Sequence, residues 1–283
     1  MDSALDFGAC IGVFDSGVGG LSVLAALQRR LPQAPLLYVA DSGHAPYGER
    51  GAGYILDRSQ RIAGHLRGEG ALGLVVACNT ATAAAVGELR ARWPSLPIVG
   101  VEPGLKPAVA MTRSRRIGVM ATPATLASEK FRALLQAQPP DVTIVTRPCP
   151  GLAALIENGE LDAPSLLAAI HEHGAALRAA EVDTVVLGCT HYAFVRHHIA
   201  AALGPGVQIV DTAEAVARRA ATLMHAASRP TGEAGVRLQT TGDVARLRRI
   251  ASAWLPFACS VEAVPASSPA TMIPGTPRGW RNG

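Results

Sequence analysis

Val75-Val76-Ala77-Cys78-Asn79-Thr80 and Val185-Val186-Leu187-Gly188-Cys189-Thr190-His191 are two versions of one local design. Each is a short β-branched apolar run, suited to a strand buried on both faces. Each ends at a cysteine followed by hydroxyl, amide or imidazole side chains. Open α/β sheets carry their chemistry at the carboxyl ends of such strands. Two thiols so placed, about 111 positions apart, predict a pair that faces one small molecule from both sides.

Working outward, Ile11-Gly12-Val13-Phe14 is an apolar run leading into Asp15-Ser16-Gly17-Val18-Gly19-Gly20. Helical spacing follows over 21–31 and is closed by Pro32. Residues 36–40 read as a second strand, followed by the turn-rich stretch 41–48. Helices over 53–67 and 81–93 flank the strand that ends at Cys78, and 97–101 reads as another strand. The pattern then restarts, because Ile117-Gly118-Val119-Met120-Ala121-Thr122-Pro123 matches residues 11–17 in type and spacing. A helix over 126–136, a strand over 142–146 and a helix over 166–180 lead to the strand that ends at Cys189.

Strands alternating with helices predict an α/β protein with mainly parallel sheets flanked by helices. The restart predicts a duplicated half, hence two pseudo-symmetric α/β domains with the active site at their interface. Two unrelated βα stretches that look alike are the alternative. A helix over 213–226 and a strand over 236–240 return to the first half. The expected domains are therefore 1–102 plus 211–263, and 103–210, with 264–283 a disordered tail.

Composition narrows the class. Of 283 residues, 49% are hydrophobic and 17% charged, which suits a globular protein with a sizeable core. The net charge of +4 is dispersed, apart from short clusters such as Arg113-Ser114-Arg115-Arg116 and Arg246-Leu247-Arg248-Arg249. The second cluster reads as an exposed helix face, and no nucleic-acid-binding motif accompanies either. Five cysteines without a CxxC pair argue against a disulfide framework and against a zinc knuckle. His171, His173, His197 and His198 form no metal set with carboxylates or thiols in the sequence, so no metal is expected. No apolar run reaches the roughly 18–20 residues of a membrane helix. The N-terminus lacks the basic start of a signal peptide, so a cytoplasmic protein with reduced thiols is expected.

Paired thiols suit proton transfer. A thiolate removes a proton from one face of a carbon while a thiol returns one to the other face, inverting the centre without a covalent intermediate. The other uses are a Cys–His nucleophile, which needs one cysteine only, and a small buried hydrophobe. The last reading is kept for Cys10, Cys149 and Cys259.

The stretch from about Ile11 to Asp211 resembles the glutamate racemases of the aspartate/glutamate racemase superfamily. The resemblance rests on residues 12–23, on Asp41 with Pro46-Tyr47-Gly48-Glu49, on Ala77-Cys78-Asn79-Thr80-Ala81-Thr82, and on Leu187-Gly188-Cys189-Thr190-His191-Tyr192. Gly100-Val101-Glu102-Pro103-Gly104 fits as the domain junction. It implies cofactor-independent interconversion of L- and D-glutamate, supplying D-glutamate for peptidoglycan; the residues leave the oligomer open, with a homodimer among the options. Cys78 would act on the D-enantiomer and Cys189 on the L-enantiomer. Asp15 would lie beside Cys78, and His191 with Glu157 beside Cys189. Asp15 would serve as proton acceptor or as ammonium contact, a choice the residues leave open.

Ser16, Asn79, Thr80 and Thr190, with the backbone N–H groups of Tyr47 and Gly48, are the candidate carboxylate ligands, and Thr82 and Thr122 rank behind them. Blander roles compete: Asp15 and Ser16 as helix caps, 46–48 as a simple turn, Glu157 as a helix-end surface residue. Aspartate or hydantoin racemases, a nucleotide-binding protein and a two-lobed binding protein are the rival readings. Gly17-Val18-Gly19-Gly20 is neither a G-x-G-x-x-G nor a P-loop motif, and simple binding needs no cysteine at either strand end.

Overall fold

Residues 9–224, 234–268 and 270 are described by the structure, a computed structural model. Among them the strands are β1 (Cys10–Asp15), β2 (Leu36–Ala40), β3 (Ala71–Val76), β4 (Ile98–Gly100), β5 (Arg116–Ala121), β6 (Thr143–Pro148), β7 (Thr184–Leu187), β8 (Gln208–Val210), β9 (Val236–Thr240) and β10 (Ser260–Ala263). They form two sheets, ordered β10-β9-β2-β1-β3-β4 and β6-β5-β7-β8. Every pairing is parallel. Helices cover both faces, which explains why strands such as β1 and β2 are buried along their whole length.

The order β2-β1-β3-β4 recurs as β6-β5-β7-β8, so the restart in the sequence is a restart in topology. In each half the chain leaves the central strand to one side and then crosses to the other. That switch opens a crevice at the carboxyl ends of β1 and β3, and again at those of β5 and β7. Asp15-Ser16 and Cys78 border the first crevice, Thr122 and Cys189 the second.

The shared glycines carry the repeat. A Cβ on Gly12 would lie 2.9 Å from Leu74 and 3.1 Å from Leu66, while one on Gly118 would lie 2.9 Å from Leu177. Leu66 and Leu177 belong to corresponding helices, Ala52–Gly68 and Pro164–Ala179. In both halves only a glycine lets the central strand meet its covering helix.

Several local expectations shift. The helix after Cys78 runs over Asn79–Arg92, starting earlier than the spacing suggests, because Cys78 itself caps it: Ala81 N donates to its Sγ at 3.4 Å. The helix expected over 126–136 is two helices, Pro123–Ala127 and Glu129–Gln136, because Ser128 caps the second by accepting from Phe131 N. Of the disordered tail expected from residue 264, the described residues 264–268 and 270 include three that are packed. Val264, Ser268 and Ala270 are buried, Ser268 Oγ meets His65 Nδ1 at 2.9 Å, and the Ala270 carbonyl accepts from Arg58. Residues 269 and 271–283 of that stretch lie outside the described residues.

Candidate active site

The carboxyl ends of the two sheets enclose one cavity of about 190 Å³, room for a single small molecule. Cys78 and Cys189 both line it, with Ser16, Tyr47, Gly48, Asn79, Thr80, Thr122, Glu157, Thr190 and His191. Each thiol has its own surroundings. Cys78 Sγ donates to Ser16 Oγ at 3.6 Å and accepts from Ala81 N. Burial pushes its pKa well above the usual thiol range, the Asp15 charge adds to this, and the two hydrogen bonds offset part. Cys78 therefore rests as a thiol.

Cys189 Sγ faces His191 Nδ1 at 3.7 Å, and His191 Nε2 meets Glu157 Oε2 at 2.6 Å. Burial disfavours the imidazolium, but the hydrogen bonds and charges of Cys189 and Glu157 outweigh it and hold the His191 pKa well above the ordinary value. Glu157 shows the converse balance. Burial would raise its pKa, but His191, Val18 N and Ser42 Oγ together lower it. Glu157 ends the helix Leu152–Glu157 and its side chain is 12% exposed, so it is an inward-facing residue and not a surface one.

Asp15 is fully buried and stands behind the cavity wall. Oδ1 accepts from Ser16 Oγ at 2.9 Å and Gly17 N at 3.1 Å, and Oδ2 accepts from Thr190 Oγ1 at 2.8 Å. Burial raises its pKa, and the His191 charge and these donors pull it back. Ser16 and Thr190 spend their protons on Asp15, so their oxygens face the cavity as acceptors. Those two hydroxyls suit an ammonium group better than the carboxylate assigned to them from sequence.

Donors collect elsewhere. Among the described residues, both amide atoms of Asn79 are buried without a protein partner, although a buried amide normally has one. Thr80 Oγ1 meets Thr122 Oγ1 at 3.0 Å and Thr125 Oγ1 at 3.2 Å. Tyr47 and Gly48 open a 3-10 turn after the cis Ala45-Pro46 bond, and the first amides of such a turn lack intrahelical acceptors. Asp41, its pKa lowered against burial by His44, Arg58 and Tyr47, holds the Tyr47 hydroxyl from below. Thr82 belongs to the scaffold: it donates to Val76 O at 3.1 Å and accepts from Val101 N at 2.9 Å, tying β3 to the chain after β4.

Sequence reasoning missed Ser42, Asn158 and Arg246, which also line the cavity. Arg246 was read as exposed helix face, but its guanidinium donates to the Glu157 carbonyl. The signal available was Asp243, which caps the helix Val244–Trp254 and aims its first turn. His198 also departs from expectation, since its Nε2 meets Asp162 Oδ1 at 2.9 Å, and with His197 these donor atoms lie within 4.8 Å of one another. That exposed cluster lies apart from the cavity wall.

Two thiols facing one cavity from equivalent strand ends, with acceptors and donors segregated around them, are the site of an isomerase. The chain belongs to the Asp/Glu/Hydantoin racemase family, whose model matches residues 20–220. It is 50% identical over 246 residues to a glutamate racemase of Pseudomonas putida KT2440, covering 86% of this chain and 92% of that one. A glutamate racemase of Pseudomonas aeruginosa PAO1 is 51% identical over 211 residues, covering 75% and 80%. Among solved structures, the Bacillus anthracis glutamate racemase RacE1 matches with a TM-score of 0.82 at 32% identity, over 91% of this chain and 97% of that one. The Escherichia coli glutamate racemase, solved with L-glutamate and the activator UDP-MurNAc-ala, gives 0.81 at 29% identity, over 91% and 98%.

Proposed function

We propose that this chain interconverts L- and D-glutamate by a cofactor-independent two-base mechanism, in the cytoplasm, and so supplies D-glutamate for peptidoglycan. The observation that carries the reading is the meeting of Cys78 and Cys189, from equivalent positions of the repeat, in one cavity. Relatives at about half identity support glutamate over aspartate or hydantoin substrates.

From L-glutamate, a thiolate at Cys189, paired with the His191 imidazolium, takes the α-proton. The electron pair left on Cα is delocalised into the α-carboxylate, which the unpartnered Asn79 amide and the Tyr47–Gly48 amides are placed to hold. Cys78, resting as a thiol, delivers its proton to the opposite face. One C–H bond breaks and one forms, Cys189 ends protonated and Cys78 ends as thiolate, and exchange with solvent resets the pair. The reverse direction runs the same steps backwards. Ser16 and Thr190, turned into acceptors by Asp15, hold the substrate ammonium.

The test is incubation with L-glutamate in D2O without added cofactor, followed by circular dichroism and α-deuterium NMR. D-Glutamate carrying deuterium is expected, and absence of α-proton exchange with either enantiomer refutes the reading. Cys78→Ala and Cys189→Ala are each expected to abolish racemisation; full activity in either refutes the two-base mechanism.

A further inference from the structure

The Glu157–His191 assembly beside Cys189 belongs to the second half, yet its far end is held by the first. Helix Val244–Trp254 follows β9 of the first sheet, and Asp243 Oδ1 accepts from Arg246 N at 2.7 Å, fixing its opening turn. From there the Arg246 guanidinium crosses the interface, donating to the Glu157 carbonyl and, at 3.2 Å, to Asn158 Oδ1. That carbonyl is one of the last in the helix Leu152–Glu157, without an onward intrahelical donor. Arg249 adds a contact to Asn158 O at 3.4 Å, and Gly159, at φ +81°, packs on Ile250 so closely that a Cβ would lie 3.1 Å away. The turn that ends in Glu157 is thus clasped by one helix of the opposite half.

We infer that Arg246 is a positioning residue for the Cys189 side of the reaction only: it fixes Glu157, Glu157 fixes His191, and His191 faces the thiol. This rests on the two-base reading above. The contacts of Cys78 involve Ser16 and Ala81 and never pass through the clasp. Loss of Arg246 therefore raises the barrier for proton transfer at Cys189 and leaves the one at Cys78 unchanged.

The two enantiomers have equal free energy in solution, so kcat/KM must fall equally in both directions, and rates alone cannot reveal the asymmetry. Isotope effects can. For Arg246→Ala, kcat/KM is expected to fall by about tenfold, the cost of a displacement of under 1 Å in a catalytic group. The isotope effect with α-deuterated L-glutamate is expected to grow, because transfer to Cys189 becomes the slow step. With α-deuterated D-glutamate it is expected to shrink towards the equilibrium isotope effect for moving hydrogen from carbon to sulfur. Arg246→Lys, which keeps the charge and reaches one acceptor, is expected to show the same asymmetry in smaller measure, and it serves should the alanine variant fail to fold. Isotope effects that move together, or unchanged kinetics, overturn the inference. A wild-type protein that exchanges no α-proton overturns the two-base reading instead.

Discussion

Gly19→Ala tests the geometry around Cys189 from the opposite wall. The Cα of Gly19 lies against the His191 imidazole, and an alanine Cβ there would sit 2.6 Å from Cε1 and 2.7 Å from Cγ, with Nδ1 closer still. Non-bonded contacts settle at about 3.5 Å, so the ring must retreat by roughly 1 Å. It cannot retreat freely, because His191 is buried and its Nε2 is held by Glu157 at 2.6 Å on the far side. Nδ1 is the atom that faces Cys189 at 3.7 Å, so the displacement falls on the imidazole–thiol contact itself. A 1 Å misplacement costs on the order of 10²-fold in rate. We expect kcat/KM for racemisation to fall by about that factor in both directions, measured by circular dichroism from each pure enantiomer. Gly64→Ala is the control, since a Cβ there meets nothing within 4 Å, and it should retain wild-type rates. Wild-type activity in Gly19→Ala would refute the placement of His191 beside Cys189.

Glu157→Gln should alter stability in a defined pH window. The raised His191 pKa stabilises the fold fully below its unfolded value of about 6.5 and is lost as pH rises through the folded value, while the lowered Glu157 pKa contributes above about 4.3 and is lost as pH falls through the folded value. The deficit of the variant in thermal melts should therefore be greatest between about pH 4.5 and 6.5, at roughly 1.5–3 kcal/mol for a charge-assisted hydrogen bond, and an equal deficit at every pH would refute the pairing. Truncation after Ala263 removes the Ala270 carbonyl from Arg58 and Ser268 from His65, beneath Asp41 and Tyr47. It should cost about 1–3 kcal/mol in denaturant unfolding and raise KM, and an unchanged midpoint would show that the strap is idle.

How much of this was legible in the sequence follows from the range of each signal. The two thiols, Ser16, Asn79, Thr80, Thr122, Thr190 and His191 lie within a few residues of a strand end, so a local pattern of apolar run and polar cap was enough to place them on the cavity. Glu157 lies 34 positions from His191, and Arg246 a further 89 positions from Glu157; no local pattern encodes such pairings. Asp15, at the end of β1, stands near Cys78 as expected, one hydroxyl away through Ser16, whereas its hydrogen bond to Thr190 joins it to the other half, a pairing no local pattern encodes. Residues 264–268 and 270, the described part of the expected tail, depart from expectation for a compositional reason. Ser and Pro suggest disorder, but the Ala270 carbonyl and the Ser268 hydroxyl dock these residues on Arg58 and His65.

The repeat is faithful where it must be and free where it is not. Cys78 and Cys189, Gly12 and Gly118, Leu66 and Leu177 correspond in both sequence and fold. Their helpers do not: Asp15 corresponds to Ala121, and His191 to Thr80. Mirror-image substrates of equal energy impose one ratio of kcat/KM whatever the two barriers are, so nothing obliges the two thiols to be activated alike. What inversion does require is that both sulfurs reach opposite faces of one carbon, and that is a demand on backbone position. The strand ends bring both thiols to one cavity, and glycines let helices close on both sheets. Burial and a carboxylate then keep one thiol protonated, while an imidazole and a second carboxylate attend the other. The repeat thus fixes where the two sulfurs stand and leaves the groups around each free to differ.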